Sequence, residues 1–325
     1  MNAQKSASRL AMLLGLALCS AIAGAQTNFP SQPIKVIVPF PPAGGTDVLT
    51  RLVTNEVTLK DKKWTFIVDN KPGAGGNIGL DAVAKAKKDG YTVGTGQTAN
   101  LAINPTLYTK VPFDALKDFA PVVLLASQPL VLVVRADSPI KSVADLKSQS
   151  EKKQLAMASA GTGTVGHVGG EMFARRAGIK VMHVPYKGAG PATTDLLGGQ
   201  TDIYFATPPS VISMIKAGKL RAVAVTSLKR IDVLPNVPTV AESGYPGFVA
   251  EDWKAVVAPV DTAPETIAEI NQAMNTALGR PEVVARLKDE GSMARGGTPA
   301  ELGAFLKSEY ARWGAAVRES GAKLD

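Results

Sequence analysis

Apolar positions along this chain fall into short β-branched runs that alternate with stretches of helical period. Runs at Ile34–Pro39, Thr65–Asp69, Thr92–Gly96, Val122–Leu125 and Leu130–Arg135 predict strands, as do Leu155–Ser159, Lys180–Val184, Ile203–Phe205, Leu220–Thr226 and Trp253–Ala258. The spacing between them predicts helices over Asp47–Lys60, Ile78–Ala86, Val143–Gln149, Val165–Ala177, Ala192–Leu197 and Pro209–Ala217. Past the last strand the pattern is helical, over Glu265–Leu278, Pro281–Asp289 and Pro299–Ser320. Thr262-Ala263-Pro264-Glu265 and Thr298-Pro299-Ala300-Glu301 each pair a capping threonine with a glutamate three positions on, which marks a helix start. Strand–helix alternation predicts an α/β protein with mostly parallel sheets.

The chain is 325 residues long, more than one hydrophobic core comfortably serves. The tail helices have no local strands to cover, so they are expected to return over the first half. That predicts a discontinuous first domain, residues 26–126 with 254–325, and a second domain, residues 127–253. The chain then crosses between them near Leu125–Leu130 and near Val249–Ala255.

Residues 1–25 read as a secretory signal peptide. Lys5 and Arg9 precede an apolar core, Leu10–Ile22, too short to span a membrane, and Ala23-Gly24-Ala25 is a small-residue cleavage site. The chain is expected to be exported, with a mature start at Gln26. Cys19, the one cysteine, lies inside the leader, which leaves the mature chain neither disulfides nor thiol chemistry. Removing Lys5 and Arg9 lowers the formal charge from +8 to +6, and the remaining basic residues are scattered. With aromatics at 6% and none interleaved with basic clusters, no nucleic-acid partner is expected.

Three glycine-rich segments follow predicted strands. Ile34 to Phe40 runs through Pro41-Pro42-Ala43-Gly44-Gly45 into a helix opening near Thr46-Asp47. Proline ends the strand ladder and the glycines bare backbone amides at a helix start, where an anion is favoured. Leu155–Ala160 repeats the arrangement through Gly161-Thr162-Gly163-Thr164-Val165-Gly166-His167. Two such turns, one per domain, predict a cleft that closes on a small anion. A βα turn with glycines for close packing fits the first segment equally when it is taken alone, and the second segment tips the balance toward an anion site. Asp69-Asn70-Lys71-Pro72-Gly73-Ala74-Gly75-Gly76 is the third, and there tight backbone passage is the favoured reading.

The second turn matches the dinucleotide fingerprint literally, but Pro185-Tyr186-Lys187 stands where the ribose-binding acid belongs. No cofactor is expected. His167 and His183 are the two histidines, and no carboxylates stand beside either in ligand spacing, so no metal is expected. A G-x-S-x-G elbow is absent, which leaves a serine hydrolase without its nucleophile.

These blocks, with Asp89-Gly90-Tyr91-Thr92, Val184-Pro185-Tyr186-Lys187-Gly188, Leu197-Gly198-Gly199-Gln200 and Leu234-Pro235-Asn236-Val237-Pro238-Thr239-Val240-Ala241-Glu242, resemble the Bug-type substrate-binding proteins of tripartite tricarboxylate transporters. The resemblance covers essentially the whole mature chain. It implies a type II periplasmic-binding-protein fold, two α/β domains with a central cleft and hinge, and no catalysis. It also implies a monomer in the periplasm that binds a small organic carboxylate, a mono- or dicarboxylate with aromatic acids included, and passes it to integral-membrane transporter subunits. Carried over by position, the ligand set is Pro41, Ala43, Gly44, Gly45 and Asp47, with Gly161, Thr162, Gly163, Thr164 and His167 opposite. Phe205, Ala206 and Thr207 complete it. Many members of that family place an acid where this chain has Ala206, which argues against an amino-acid ligand. Two other readings stand beside it, a sensor that presents its closed form to a signalling partner and an exported α/β enzyme.

Overall fold

The computed structural model describes residues 29–42 and 44–322. The leader, Cys19 and Ala43 lie outside the described residues. Pro33–Asp325 forms one compact unit, and all that follows concerns it.

In chain order the strands are β1 (Ile34–Val38), β2 (Phe66–Asn70), β3 (Thr92–Gln97), β4 (Phe119–Pro129), β5 (Val131–Arg135) and β6 (Leu155–Ser159). They continue as β7 (Val181–Pro185), β8 (Ile203–Ala206), β9 (Leu220–Val225), β10 (Glu251–Pro259) and β11 (Met293–Gly296). The helices are α1 (Gly45–Lys60), α2 (Asn77–Ala84), α3 (Asn104–Leu107), α4 (Val143–Lys152) and α5 (Val165–Ala177). After them come α6 (Ala189–Leu197), α7 (Pro208–Lys216), α8 (Pro264–Leu278), α9 (Pro281–Asp289) and α10 (Pro299–Ser320).

Two sheets result, ordered β11-β4-β10-β3-β1-β2 and β7-β6-β8-β5-β9. The expectation of mostly parallel sheets is corrected. Only β2-β1-β3 and β7-β6-β8 are parallel. β10 runs antiparallel between β3 and β4, β11 pairs antiparallel with β4, and β5 is antiparallel to β8 and β9. The cause is connectivity: β4 runs straight on into β5 in the other sheet, and β10 is the returning chain laid back along β4. Parallel pairing needs a crossover, and β4 passes into β5 through Leu130 alone. β11 is too short and too polar to have been read as a strand, and β4 extends beyond the predicted Val122–Leu125 at both ends.

The passages between the sheets are tied together by Thr226, which is fully buried. Its hydroxyl accepts from the Leu130 amide at 2.8 Å, and its own amide donates to the Leu130 carbonyl at 2.9 Å. On the other side its carbonyl accepts from the Ala250 amide at 3.1 Å. One threonine thus closes the backbone hydrogen bonds of both crossing segments, which strand pairing leaves unmet.

The tail helices return to the first sheet. α8 packs on β4 and α1, while α10 lies on β4 and on the Ala99–Leu107 segment and reaches α5 beneath the second sheet. Both capping boxes read from sequence have a physical counterpart only at the second: Thr298 Oγ1 accepts from the Glu301 amide at 3.2 Å, and Glu301 Oε2 accepts from the Thr298 amide at 2.7 Å. At α8 the cap is Ala263 and Pro264 occupies the first turn; Thr262 instead donates to the Pro259 carbonyl.

Candidate functional site

The α1 turn is shaped from beneath. Asn70, at the end of β2, donates through Nδ2 to the Phe40 carbonyl and to Asp47 Oδ1, each at 2.9 Å. Arg51 Nε lies 3.0 Å from both Asp47 oxygens. The Asp47 carboxylate, 3% exposed, is therefore spent on bracing its own turn. Thr46 donates to Gln97 Oε1 on β3, and Thr50 donates to Thr95 Oγ1 at 2.9 Å, so a threonine row seats α1 on the sheet. The cap residue is Gly44, and no side chain supplies the cap bond. The first amides of a helix have no intrahelical acceptor, so this end is left to be served by something else.

The β6–α5 turn has the same outline and the opposite outcome. Thr164 caps α5, its Oγ1 accepting from the His167 amide at 3.3 Å and donating to the Gly161 carbonyl at 2.7 Å. The Gly163 amide donates to His167 Nδ1 at 3.1 Å, and the Gly161 amide to Ser159 Oγ at 3.2 Å. His167 stacks on His183 with ring centres 3.8 Å apart, and His183 Nε2 lies 2.7 Å from Ser159 Oγ. Burial, and then the neighbouring His183, hold the His167 pKa down to about 3, so its Nδ1 stays a bare acceptor at neutral pH. Gly163 has φ +80°, and a Cβ there would come within 3.0 Å of Asn104 Oδ1 and 3.2 Å of Leu107 on α3. This turn is packed against the first sheet's α3. Gly166, the last glycine of the apparent fingerprint, would set a Cβ 2.5 Å from the Phe205 carbonyl, so it serves helix-on-strand packing.

A cavity of about 640 Å³ opens beside the α1 turn. Gly44, Gly45, Val48 and Leu49 form one wall, Ala189 and Gly190 of α6 with Thr207, Pro209, Ser210 and Ser213 of α7 another. α6 is capped by Gly188 and α7 by Thr207, again with no side-chain cap bond. Three helix N-termini, from both sheets' layers, thus meet one cavity without a capping side chain. Its floor is β4 and β10: Ala126, Ser127 and Gln128 lie alongside Asp252 and Lys254, with Ser292 at the edge. Lys254 Nζ is 2.6 Å from Asp252 Oδ2, and Ser292 donates to Gln128 Oε1 at 2.7 Å. Lys216, Asp289 and Glu290 also line the cavity.

Of the residues expected at the ligand, Gly44, Gly45 and Thr207 line this cavity. Pro41 is exposed and its carbonyl accepts from the Gly44 amide at 3.3 Å, while Asp47 lies behind the turn. Gly161, Thr162, Gly163, Thr164 and His167 form the self-capped turn and are not among the lining residues. Phe205 and Ala206 are buried on β8, Phe205 against Phe173 and Ala206 in a cluster with Val131 and Val211. Sequence reasoning did not reach Gly190, Ser210, Gln128, Asp252 or Lys254. A signal for the last two exists: in a strand of otherwise buried apolar residues, Asp252 and Lys254 alternate with Trp253 and so share a face. Among the described residues no group of three or more His, Cys, Asp or Glu could hold a metal.

The chain matches the tripartite tricarboxylate transporter family receptor profile over residues 50–322. It is 39% identical to the protein BugT of Bordetella pertussis over 97% of this chain and 98% of that one. Among solved structures it is similar to Rpa4515 of R. palustris with adipate, at 33% identity and TM-score 0.85 over 91% of this chain and 100% of that chain. It is likewise similar to MatC of Rhodopseudomonas palustris with bound malate, at 32% identity and TM-score 0.80 over 89% and 100%. BugD, a periplasmic binding protein, superposes with TM-score 0.81 at 31% identity over 91% and 99%. Family and structural neighbours are solute-binding proteins rather than enzymes, and the two-sheet α/β architecture is theirs. The chain belongs to the tripartite tricarboxylate transporter receptor family, the Bug-type periplasmic solute-binding proteins.

Proposed function

We propose that this protein captures a small organic carboxylate in the cavity beside the α1 turn and delivers it to integral-membrane subunits of a tripartite tricarboxylate transporter. The observation that carries the reading is the meeting of the α1, α6 and α7 N-termini on one cavity, none with a side-chain cap. Each such end carries a partial positive charge, and α1 and α6 add amide donors with no acceptor. At α7, Pro208 and Pro209 have no N–H and the Ser210 amide donates to the Thr207 carbonyl, so that end offers its dipole and hydroxyls. A carboxylate is the group the three fit. Gly44 and Gly45 keep side chains out of its way. The adipate and malate held by two relatives support the class.

The cavity draws walls from helices of both sheets, so a ligand contacting both favours the closed form. We take the hinge to be the two passages at Leu130 and Ala250 joined by Thr226, between a domain of residues 26–126 with 254–325 and one of residues 127–253. In this reading the Gly161–His167 turn docks on α3 and fixes the closed register, while the ligand carboxylate is held elsewhere. The protein acts as a periplasmic monomer after removal of residues 1–25.

Titration calorimetry with mono-, di- and tricarboxylates and their neutral amides tests the reading. At least one acid binds and its amide binds about a hundredfold more weakly, near 2.7 kcal/mol. Equal binding of acid and amide, or no binding by any acid, overturns it. Uptake of the bound acid by cells that lack the transporter's membrane subunits overturns delivery.

A further inference from the structure

We infer that the cavity floor takes an uncharged hydrogen-bonding group, so that the preferred ligand is a monocarboxylate with a distal hydroxyl or similar donor, in preference to a diacid or an amino acid. This rests on the carboxylate reading above and deepens it.

The α1 turn continues β1, and β3 separates β1 from β10. Strands lie about 4.8 Å apart, so Asp252 and Lys254 stand roughly 10 Å from the proposed carboxylate position. That is the span of a ligand with about six carbons or a para-substituted ring. At this floor the Lys254 ammonium and Asp252 carboxylate form an ion pair whose side chains are 6% and 10% exposed. Gln128, paired with Asp252 across β4 and β10, lies 3.4 Å from the same carboxylate oxygen, Oδ2. The other oxygen, Asp252 Oδ1, is buried and has no hydrogen-bond partner. A buried ion pair offsets its desolvation only when its remaining lone pairs are met, so this one lacks a donor.

The missing donor has to be neutral. A second carboxylate has no hydrogen to give, and it meets Asp252, Asp289 and Glu290 against only Lys254 and Lys216 around the cavity. An ammonium brings hydrogens but lands beside the Lys254 ammonium. A hydroxyl donates to Asp252 Oδ1 and accepts from Lys254 Nζ, leaving neither charge opposed.

The test uses two end-group series in calorimetry on the intact mature protein. The first is hexanoate with its ω-hydroxy, ω-carboxy and ω-amino derivatives; the second is benzoate with para-hydroxy, para-carboxy and para-aminomethyl groups. In whichever series binds, the hydroxy acid is the tightest by about tenfold or more. Asp252→Asn leaves Lys254 unopposed and moves the preference toward the diacid, and Lys254→Met moves it toward the amino acid. A diacid or amino acid that matches the hydroxy acid on the wild-type protein overturns the inference, whether or not the variants fold. An end-group ranking unchanged in both folded variants also overturns it. Failure of every acid in both series overturns the inference alone; the carboxylate reading falls with it only if the wider set of mono-, di- and tricarboxylates fails too.

Discussion

The β1–α1 and β6–α5 turns share one design, a strand, a glycine turn and a helix start, yet one is open and the other is closed by its own residues. Glycine content does not separate them. What separates them is the capping position, Gly44 in one and Thr164 in the other, and a histidine one turn into the second helix. Threonine at the cap takes the His167 amide and a bare imidazole nitrogen takes the Gly163 amide, two donors an anion would otherwise find, and Gly163 packs on α3. Amides at a helix start are available to a ligand only where the sequence withholds a cap.

Gly45→Asp breaks the comparison most strongly. An added Cβ at Gly45 has no neighbour within 4 Å, and an acid in the first helical turn does not harm the helix. The variant is expected to fold as the wild type and to lose carboxylate affinity by about a thousandfold in calorimetry. Retained affinity means that the open turn holds no anion.

Gly163→Ala acts on the closed turn, where φ is +80° and Asn104 Oδ1 is 3.0 Å from the new carbon. Left-handed strain and crowding lower stability by roughly 2–3 kcal/mol in urea unfolding. Affinity changes far less than for Gly45→Asp; a larger loss of binding than of stability would put the ligand at the second turn after all.

His167 makes the closed turn acid-sensitive. Its folded pKa is about 3, depressed first by burial and then by His183, while the unfolded chain titrates near 6.5. Unfolded protein therefore takes up a proton that folded protein refuses. Stability is complete above about pH 6.5 and falls as pH drops toward 3, by up to about 1.4 kcal/mol per pH unit. Urea unfolding at pH 6.5 and pH 5 is expected to differ by about 1.6 kcal/mol, and His167→Phe flattens that slope. An unchanged slope in the variant assigns the acid sensitivity to other groups. The smallest effect is Thr164→Ala, a loss of about 1 kcal/mol from the missing cap with carboxylate affinity unaltered.

Most elements were legible because their signals are local. The helix over Val165–Ala177 and the strand over Leu155–Ser159 stand where periodicity puts them. β11 was not, since Met293–Gly296 has no apolar run and is held only by pairing with β4, far away in sequence. The antiparallel returns were hidden for the same reason. Of the cavity lining, Gly44 and Gly45 were legible as an open glycine turn, and Thr207 came only with the family resemblance. The polar floor was not, because Gln128 meets Asp252 only once β10 has come back along β4. How far the two matching turns differ was not legible either: glycine spacing is visible in a sequence, but whether a nearby threonine and histidine turn inward to engage amides is a matter of rotamers.

Two of the chain's three tryptophans, Trp253 and Trp313, donate through their indole nitrogens to one carboxylate oxygen of Glu309, at 2.8 and 3.0 Å. Trp253 stands on β10 between Asp252 and Lys254, facing away from the cavity floor they form, and Arg312 links the same carboxylate to the Val249 carbonyl beside the proposed hinge. Indole emission responds to the charge and geometry of its hydrogen-bond acceptor. The protein therefore carries a native optical probe on the back of its floor strand, and the proposed closure can be sought by stopped-flow fluorescence without any label.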